Sequence, residues 1–114
     1  MSMKLTTREV SGVSIVNLSG KITLGEGGVA LREGVRKLVA EGKKKIVLNL
    51  AEVNYIDSSG LGELVSAYTA VKNPGGELKL LSLTSKVRDL LVITKLVTVF
   101  DVKDDEASAV SSFA

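Results

Sequence analysis

Ile46-Val47-Leu48-Asn49-Leu50, followed after a short polar stretch by Asp57-Ser58-Ser59-Gly60-Leu61-Gly62, is the part of the sequence on which the fold turns. The first run is almost continuously apolar, as expected of a central strand covered on both faces. The second opens with Asp and Ser, whose side-chain oxygens accept the free N–H groups of a helix's first turn. Leu61, Leu64, Val65 and Tyr68 then fall at i, i+3, i+4 and i+7, a stripe suited to packing on a sheet. A buried strand running into a capped amphipathic helix is half of a parallel crossover unit.

The flanking segments continue this alternation. On the N-terminal side, Lys4 to Val10 reads as a polar, edge-like strand, and Ser11-Gly12 as a turn. Val13-Ser14-Ile15-Val16-Asn17-Leu18 has the β-branched content of a second strand, so the two are expected to form a hairpin. Beyond Lys21-Ile22-Thr23-Leu24 and a glycine cluster, Leu31, Val35, Leu38 and Val39 share one helix face, and Gly42 is placed to end that helix. On the C-terminal side, Asn73-Pro74-Gly75-Gly76 stops the second helix and Leu78 to Leu83 reads as a strand. Thr84 or Ser85 caps a helix carrying Val87, Leu90 and Leu91. Val97 to Val102 reads as a short final strand, and Asp104, Asp105 and Glu106 favour a last helix docked by Val110 and Phe113. The expected class is α/β, a mixed sheet of about five strands flanked by about four helices in the order β-β-α-β-α-β-α-β-α, within one domain over residues 1–114.

Composition removes several function classes. The chain has no cysteine, so disulfide and thiolate chemistry are out of reach, and no histidine, on which most metal and acid–base sites depend. A metal site would have to be built from carboxylates, and no loop has calcium-binding spacing, so neither metal nor cofactor is expected. A net charge of +2 falls far short of the basic face of a nucleic-acid binder. Lys43-Lys44-Lys45 reads as a solvated turn between helix and strand, with a phosphate or partner contact as the alternative. No apolar run approaches the ~20 residues needed to span a bilayer, since Leu90 to Ile93 meets Thr94-Lys95 at once. Lys4, Arg8 and Glu9 interrupt any signal-peptide core, and the expected location is cytoplasmic, without membrane insertion. Within Leu90 to Val99 core packing is expected, with a dimer contact as the alternative use.

Two places invite chemistry. Gly25-Glu26-Gly27-Gly28-Val29-Ala30 has the spacing of a dinucleotide-binding loop. Its preceding strand, however, belongs to an opening hairpin, and the chain is too short for a complete two-halved dinucleotide fold. A glycine-rich loop approached by a partner and a plain connecting turn both fit these residues. The stronger place is Tyr55-Ile56-Asp57-Ser58-Ser59-Gly60-Leu61-Gly62. A single cap would start the helix, yet cap-forming residues follow one another and two glycines enter the first turn, each disfavoured there by ~1 kcal/mol relative to Ala. A nucleophilic serine needs an adjacent base; histidine is missing and no Ser-x-x-Lys spacing occurs here. A serine phosphorylated by another enzyme needs no internal base, because the kinase supplies it. The residues fit a modification site better than a catalytic one.

The run Ile46 to Leu50, the string Asp57-Ser58-Ser59-Gly60-Leu61-Gly62, the Leu18-Ser19-Gly20 strand exit and the Gly75-Gly76-Glu77 return resemble the STAS domain family, above all its free-standing bacterial anti-sigma factor antagonists. The resemblance implies a STAS-like sheet and a protein-binding switch without catalysis of its own. It further implies phosphorylation of the first serine after the aspartate, which is Ser58. The implied kinase is an ATP-binding anti-sigma factor that sequesters a sigma factor and is itself captured by the unphosphorylated antagonist. A metal-dependent serine phosphatase resets the switch. Such antagonists often carry Gly-x-Leu-Asp after the second strand; here Gly20-Lys21-Ile22-Thr23 puts Thr23 in the aspartate's place. The implied partner surface comprises Asp57, Ser58, Ser59, Gly60, Leu61 and Gly62 together with Thr23, Gly25, Glu26 and Gly27. The alternative within the family is a structural subunit of a signalling scaffold or a transporter complex.

Overall fold

Ser11 and Gly12, with φ of 51° and 80°, fold β1 (Lys4–Val10) back onto β2 (Val13–Ile22) as the expected antiparallel hairpin. This computed structural model describes residues 3–113, with Glu26 described by its backbone alone. From β2 onward every pairing is parallel: β3 (Lys45–Ile56), β4 (Glu77–Leu81) and β5 (Asp101–Lys103) follow in the spatial order β1-β2-β3-β4-β5. The crossovers are α1 (Glu26–Ala40), α2 (Ser58–Lys72) and α3 (Ser85–Ile93), and α4 (Glu106–Ser111) comes last. Successive crossovers of one hand that step in one direction deposit their helices on one face of a sheet.

Packing agrees with that rule. Leu31 and Val35 of α1, Leu64 and Val71 of α2, and Val87 and Leu91 of α3 join Val16, Leu18, Ile46, Leu48, Leu50 and Leu80 in the main core. The intervening strand positions Val13, Ile15, Val47 and Leu81 point the other way and are covered by Ala109 and Phe113 at the C-terminus. That second layer is pinned by charge. Arg8 of β1 pairs with Glu106 of α4, and the buried Lys79 ammonium lies 2.6 Å from an Asp101 carboxylate oxygen and 4.9 Å from the Phe113 ring centroid.

Helix ends follow the sequence signals closely. Gly42 (φ 81°) closes α1: its N–H donates to Val39 O, and the Lys43 N–H to Leu38 O at 3.0 Å. These are the paired bonds of a Schellman motif. Thr84 caps α3, its hydroxyl accepting from the Val87 N–H and donating to Val53 O at 3.0 Å. Of the lysine run, Lys45 begins β3, Lys44 donates to Pro74 O and Lys43 lies 3.7 Å from Glu9.

The final strand is displaced from its expected position. Leu96–Thr98 forms a 3-10 turn after Lys95 in the left-handed region (φ 65°), and β5 is Asp101–Lys103 rather than Val97 to Val102. The β-branched run that suggested a strand instead packs Leu96 and Val97 against the core. Strands β2 and β3 also run further than their apolar patterns, through register shifts near Ser19 and Lys21, and so reach Ile22 and Ile56.

Candidate functional site

The two longest parallel strands end side by side, with Ile22 paired to Ile56, and both sequence-selected segments rise from these carboxyl ends. Ligand and partner sites of α/β sheets form at such strand ends. Asp57 stands between β3 and α2 in extended conformation (φ −109°, ψ −176°). Its carboxylate accepts the Gly60 N–H at 2.8 Å, and its own N–H donates to Ile22 O at 3.4 Å. The cap therefore fixes the first turn of α2 and, through Ile22, ties it to β2. Ser58 and Ser59 occupy that turn and are exposed.

The glycines divide into two kinds. Around Gly62 there is open space. Gly60 is buried: a Cβ there would lie 1.9 Å from Ile22 O, so its bare side admits the β2 main chain. Gly27 does the same from α1, where a Cβ would lie 2.2 Å from Lys21 O. At Gly28 it would meet Thr23 O at 2.9 Å and the Glu63 side chain at 3.0 Å. Two helix starts thus converge on the exit of β2, and the glycine-rich cluster is used for internal close approach. Leu61 is turned into the core at 6% exposure.

The β2–α1 loop completes the surface. Thr23 is half-buried, and its carbonyl accepts the Gly28 N–H at 2.9 Å. Gly25 is exposed with φ 93°, and its carbonyl accepts the Val29 N–H at 2.9 Å. Glu26 starts α1; its side chain lies outside the described residues. Of the residues singled out from sequence, the structure brings Thr23, Gly25, Asp57, Ser58, Ser59 and Gly62 to one end of the sheet, with Gly27, Gly60 and Leu61 beneath them. Behind this surface an Arg32–Glu63 pair (3.4 Å) links α1 to α2.

Sequence reasoning gave no role to Leu24, and it named Tyr55 only as the first residue of the stretch leading into the capped helix. Leu24 is 80% exposed in the β2–α1 loop, and Tyr55 is 44% exposed near the end of β3 with the Lys21 ammonium 5.9 Å from its ring centroid. The available signal was an apolar residue set between turn formers (Thr23-Leu24-Gly25) and an aromatic breaking the alternation of a strand end. Among the described residues, no three His, Cys, Asp or Glu side chains are grouped to hold a metal, and no helix is long and apolar enough to cross a membrane.

Comparison with known proteins gives this end of the sheet its context. The anti-sigma-B factor antagonist of Bacillus subtilis is 37% identical over 87 residues, covering 76% of this chain and 78% of that protein. The structure of an anti-sigma factor antagonist from Mycobacterium paratuberculosis superposes with a TM-score of 0.86 at 23% identity, over 97% of this chain and 93% of that one. The Bacillus cell fate determinant SpoIIAA, solved in its phosphorylated form, has a TM-score of 0.74 at 17% identity, over 97% and 100% of the two chains. At these two identities the likeness is one of fold. The family model for the STAS domain matches residues 4–109, and the chain belongs to the STAS domain family.

Proposed function

We propose that this chain is an anti-sigma factor antagonist, a protein-binding switch whose state is set by phosphorylation of Ser58. In the unphosphorylated form it binds an ATP-dependent serine kinase that doubles as anti-sigma factor, and so frees a sigma factor. A metal-dependent phosphatase restores that form. The chain acts by binding alone, in the cytoplasm. The observation that carries this reading is the exposed Ser58 in the first turn of an aspartate-capped helix, beside an open loop at the strand ends. A relative named as an antagonist of anti-sigma-B factor and a phosphorylated protein of the same fold support it.

The physics of the switch follows from the position of Ser58. A phosphate adds about −1.5 to −2 charges and three acceptor oxygens. At a helix N-terminus it meets free N–H groups and the favourable end of the dipole, worth ~0.3–1 kcal/mol when exposed. Repulsion from Asp57 opposes this by a comparable amount across water. The two effects nearly cancel within the chain, so the fold changes little and the effect falls on binding. A partner packed over Ser58 must desolvate a dianion or face it with its own acidic groups, and like-charge contact at an interface costs several kcal/mol. Each 1.4 kcal/mol is tenfold in affinity. The direct test is to incubate the chain with ATP and an extract of its source cells and to map phosphate by mass spectrometry. Phosphate on Ser58, lost in Ser58→Ala, is the expected result; its absence under conditions where related antagonists are phosphorylated overturns the reading.

A further inference from the structure

Large apolar side chains are exposed at two separate ends of the molecule. Val92 (54%) and Ile93 (76%) lie at the C-terminal end of α3, which begins beyond the carboxyl end of β4 and runs back toward the amino ends of the strands. Leu24 (80%) and Tyr55 (44%) lie at the carboxyl ends of β2 and β3, the end of the sheet from which the Ser58-bearing helix starts. Leu24 extends from a loop whose backbone is held by the Gly28-to-Thr23 and Val29-to-Gly25 bonds, so its position is fixed while its side chain remains in water. Tyr55 is oriented by its neighbour Lys21, its register partner on β2, whose ammonium lies over the ring. An exposed leucine on an ordered loop and an aromatic with its polar end in water are the side chains that anchor protein interfaces.

We propose that Leu24 and Tyr55 are the apolar anchors by which the Ser58 kinase grips this chain, with Lys21 facing an acidic rim on that kinase. The proposal rests on the switch reading given above and adds the residues that choose the partner. It also accounts for charge. Lys21 is an exposed cation beside the site, so the complementary surface is acidic, and an acidic surface is the one that a Ser58 phosphate repels. The partner's chemistry is thus an apolar socket bordered by carboxylates.

The test compares the initial rate of Ser58 phosphorylation, at limiting chain concentration and in an extract of the source cells supplied with ATP, among wild type, Leu24→Ser, Tyr55→Ser and Ile93→Ser. All three changed side chains are exposed, and circular dichroism checks that each variant is folded. Leu24→Ser and Tyr55→Ser are expected to slow phosphorylation by roughly tenfold or more, as loss of an anchor does, while Ile93→Ser matches wild type. Raising salt is expected to slow wild type through the Lys21 contact. Wild-type phosphorylation at Ser58 with all three variants unaffected, or all three equally slowed, overturns the anchor assignment and leaves the switch standing. No phosphorylation of wild type at Ser58 overturns both. Self-association of wild type abolished by Leu24→Ser, seen by sedimentation, makes a second copy of the chain the occupant and overturns the assignment as well.

Discussion

Gly60→Ala and Gly62→Ala sit in the same helix, two residues apart, and are expected to have opposite effects on stability. At Gly60 the added Cβ lies 1.9 Å from Ile22 O, 2.7 Å from the Ile22 carbonyl carbon and 3.0 Å from its Cγ2. Non-bonded heavy atoms settle near 3.5–4.0 Å, so the helix start or the strand has to move by more than an ångström. The obstacle is main chain, and Ile22 is paired to Ile56 on β3, so it cannot give way alone. Overpacking of this kind costs about 3 kcal/mol at the upper end of its usual range. The better helix propensity of alanine returns ~1 kcal/mol, which leaves a net loss of about 2 kcal/mol. At Gly62 nothing lies within 4 Å of the new methyl, so only the propensity gain remains. That variant is expected to be more stable than wild type by ~0.5–1 kcal/mol. Urea unfolding followed by far-UV circular dichroism measures both, provided the slope m is unchanged. A difference of about 3 kcal/mol between the two variants corresponds to more than ~10 °C in Tm for a domain of this size. A Gly60→Ala variant as stable as wild type refutes the close approach of α2 to β2 from which the site geometry is derived.

Other expectations are checked by the same unfolding measurements. Asp57→Ala removes the acceptor of the Gly60 N–H and is expected to cost ~1 kcal/mol, with asparagine at that position restoring most of it. Asp101 is held below the ordinary aspartate range, first by its hydrogen bond from Lys79 and also by attraction to Lys79 and Lys103. A carboxyl lowered in the folded state contributes stability that is complete above its unfolded pKa near ~4 and is lost as pH falls further toward the folded value. Stability is therefore expected to fall below about pH 4, and Asp101→Asn to flatten that fall. At neutral pH the same variant leaves the buried Lys79 with a weaker partner and is expected to lose ~1 kcal/mol, a modest value because Asp101 is half exposed. Ser58→Asp, read by the same unfolding curves, is expected to lie within ~0.5 kcal/mol of wild type, because the dipole and Asp57 act in opposite directions.

Much of this architecture is written locally. The apolar run Ile46–Leu50, the Asp57 and Thr84 caps and the glycine after α1 each act on their own neighbours, and each does in the structure what its chemistry suggests. The element order follows from those signals. The parts that were not legible depend on residues distant in sequence. Strand β5 is three residues long and carries two charges, so it has no pattern of its own; it is held by pairing to β4 and by the bond between Lys79 and Asp101. Leu96-Val97-Thr98 has β-branched residues yet turns, because Lys95 adopts the left-handed region and Leu96 and Val97 find the core from a 3-10 turn.

The candidate site divides in the same way. That a cap within Asp57-Ser58-Ser59 opens the helix was readable from residue type; that Asp57 is the cap and both serines lie in the first turn is settled by the structure. That Gly60 and Gly27 face inward was not readable, since their reason is the main chain of Ile22 and Lys21 on another element. The exposure of Leu24 and Tyr55 likewise depends on where β2 and β3 stop, and both strands outrun their apolar patterns through register shifts.

The central claim is that a phosphate on Ser58 blocks partner binding while leaving the fold intact. Titration calorimetry of the Ser58 kinase with the unmodified chain and with the chain fully phosphorylated at Ser58 tests it directly, with circular dichroism of both forms alongside. The account predicts superimposable spectra and an affinity for the phosphorylated form weaker by roughly tenfold to a hundredfold or more. Equal affinity of the two forms, or a loss of binding accompanied by a loss of structure, contradicts it.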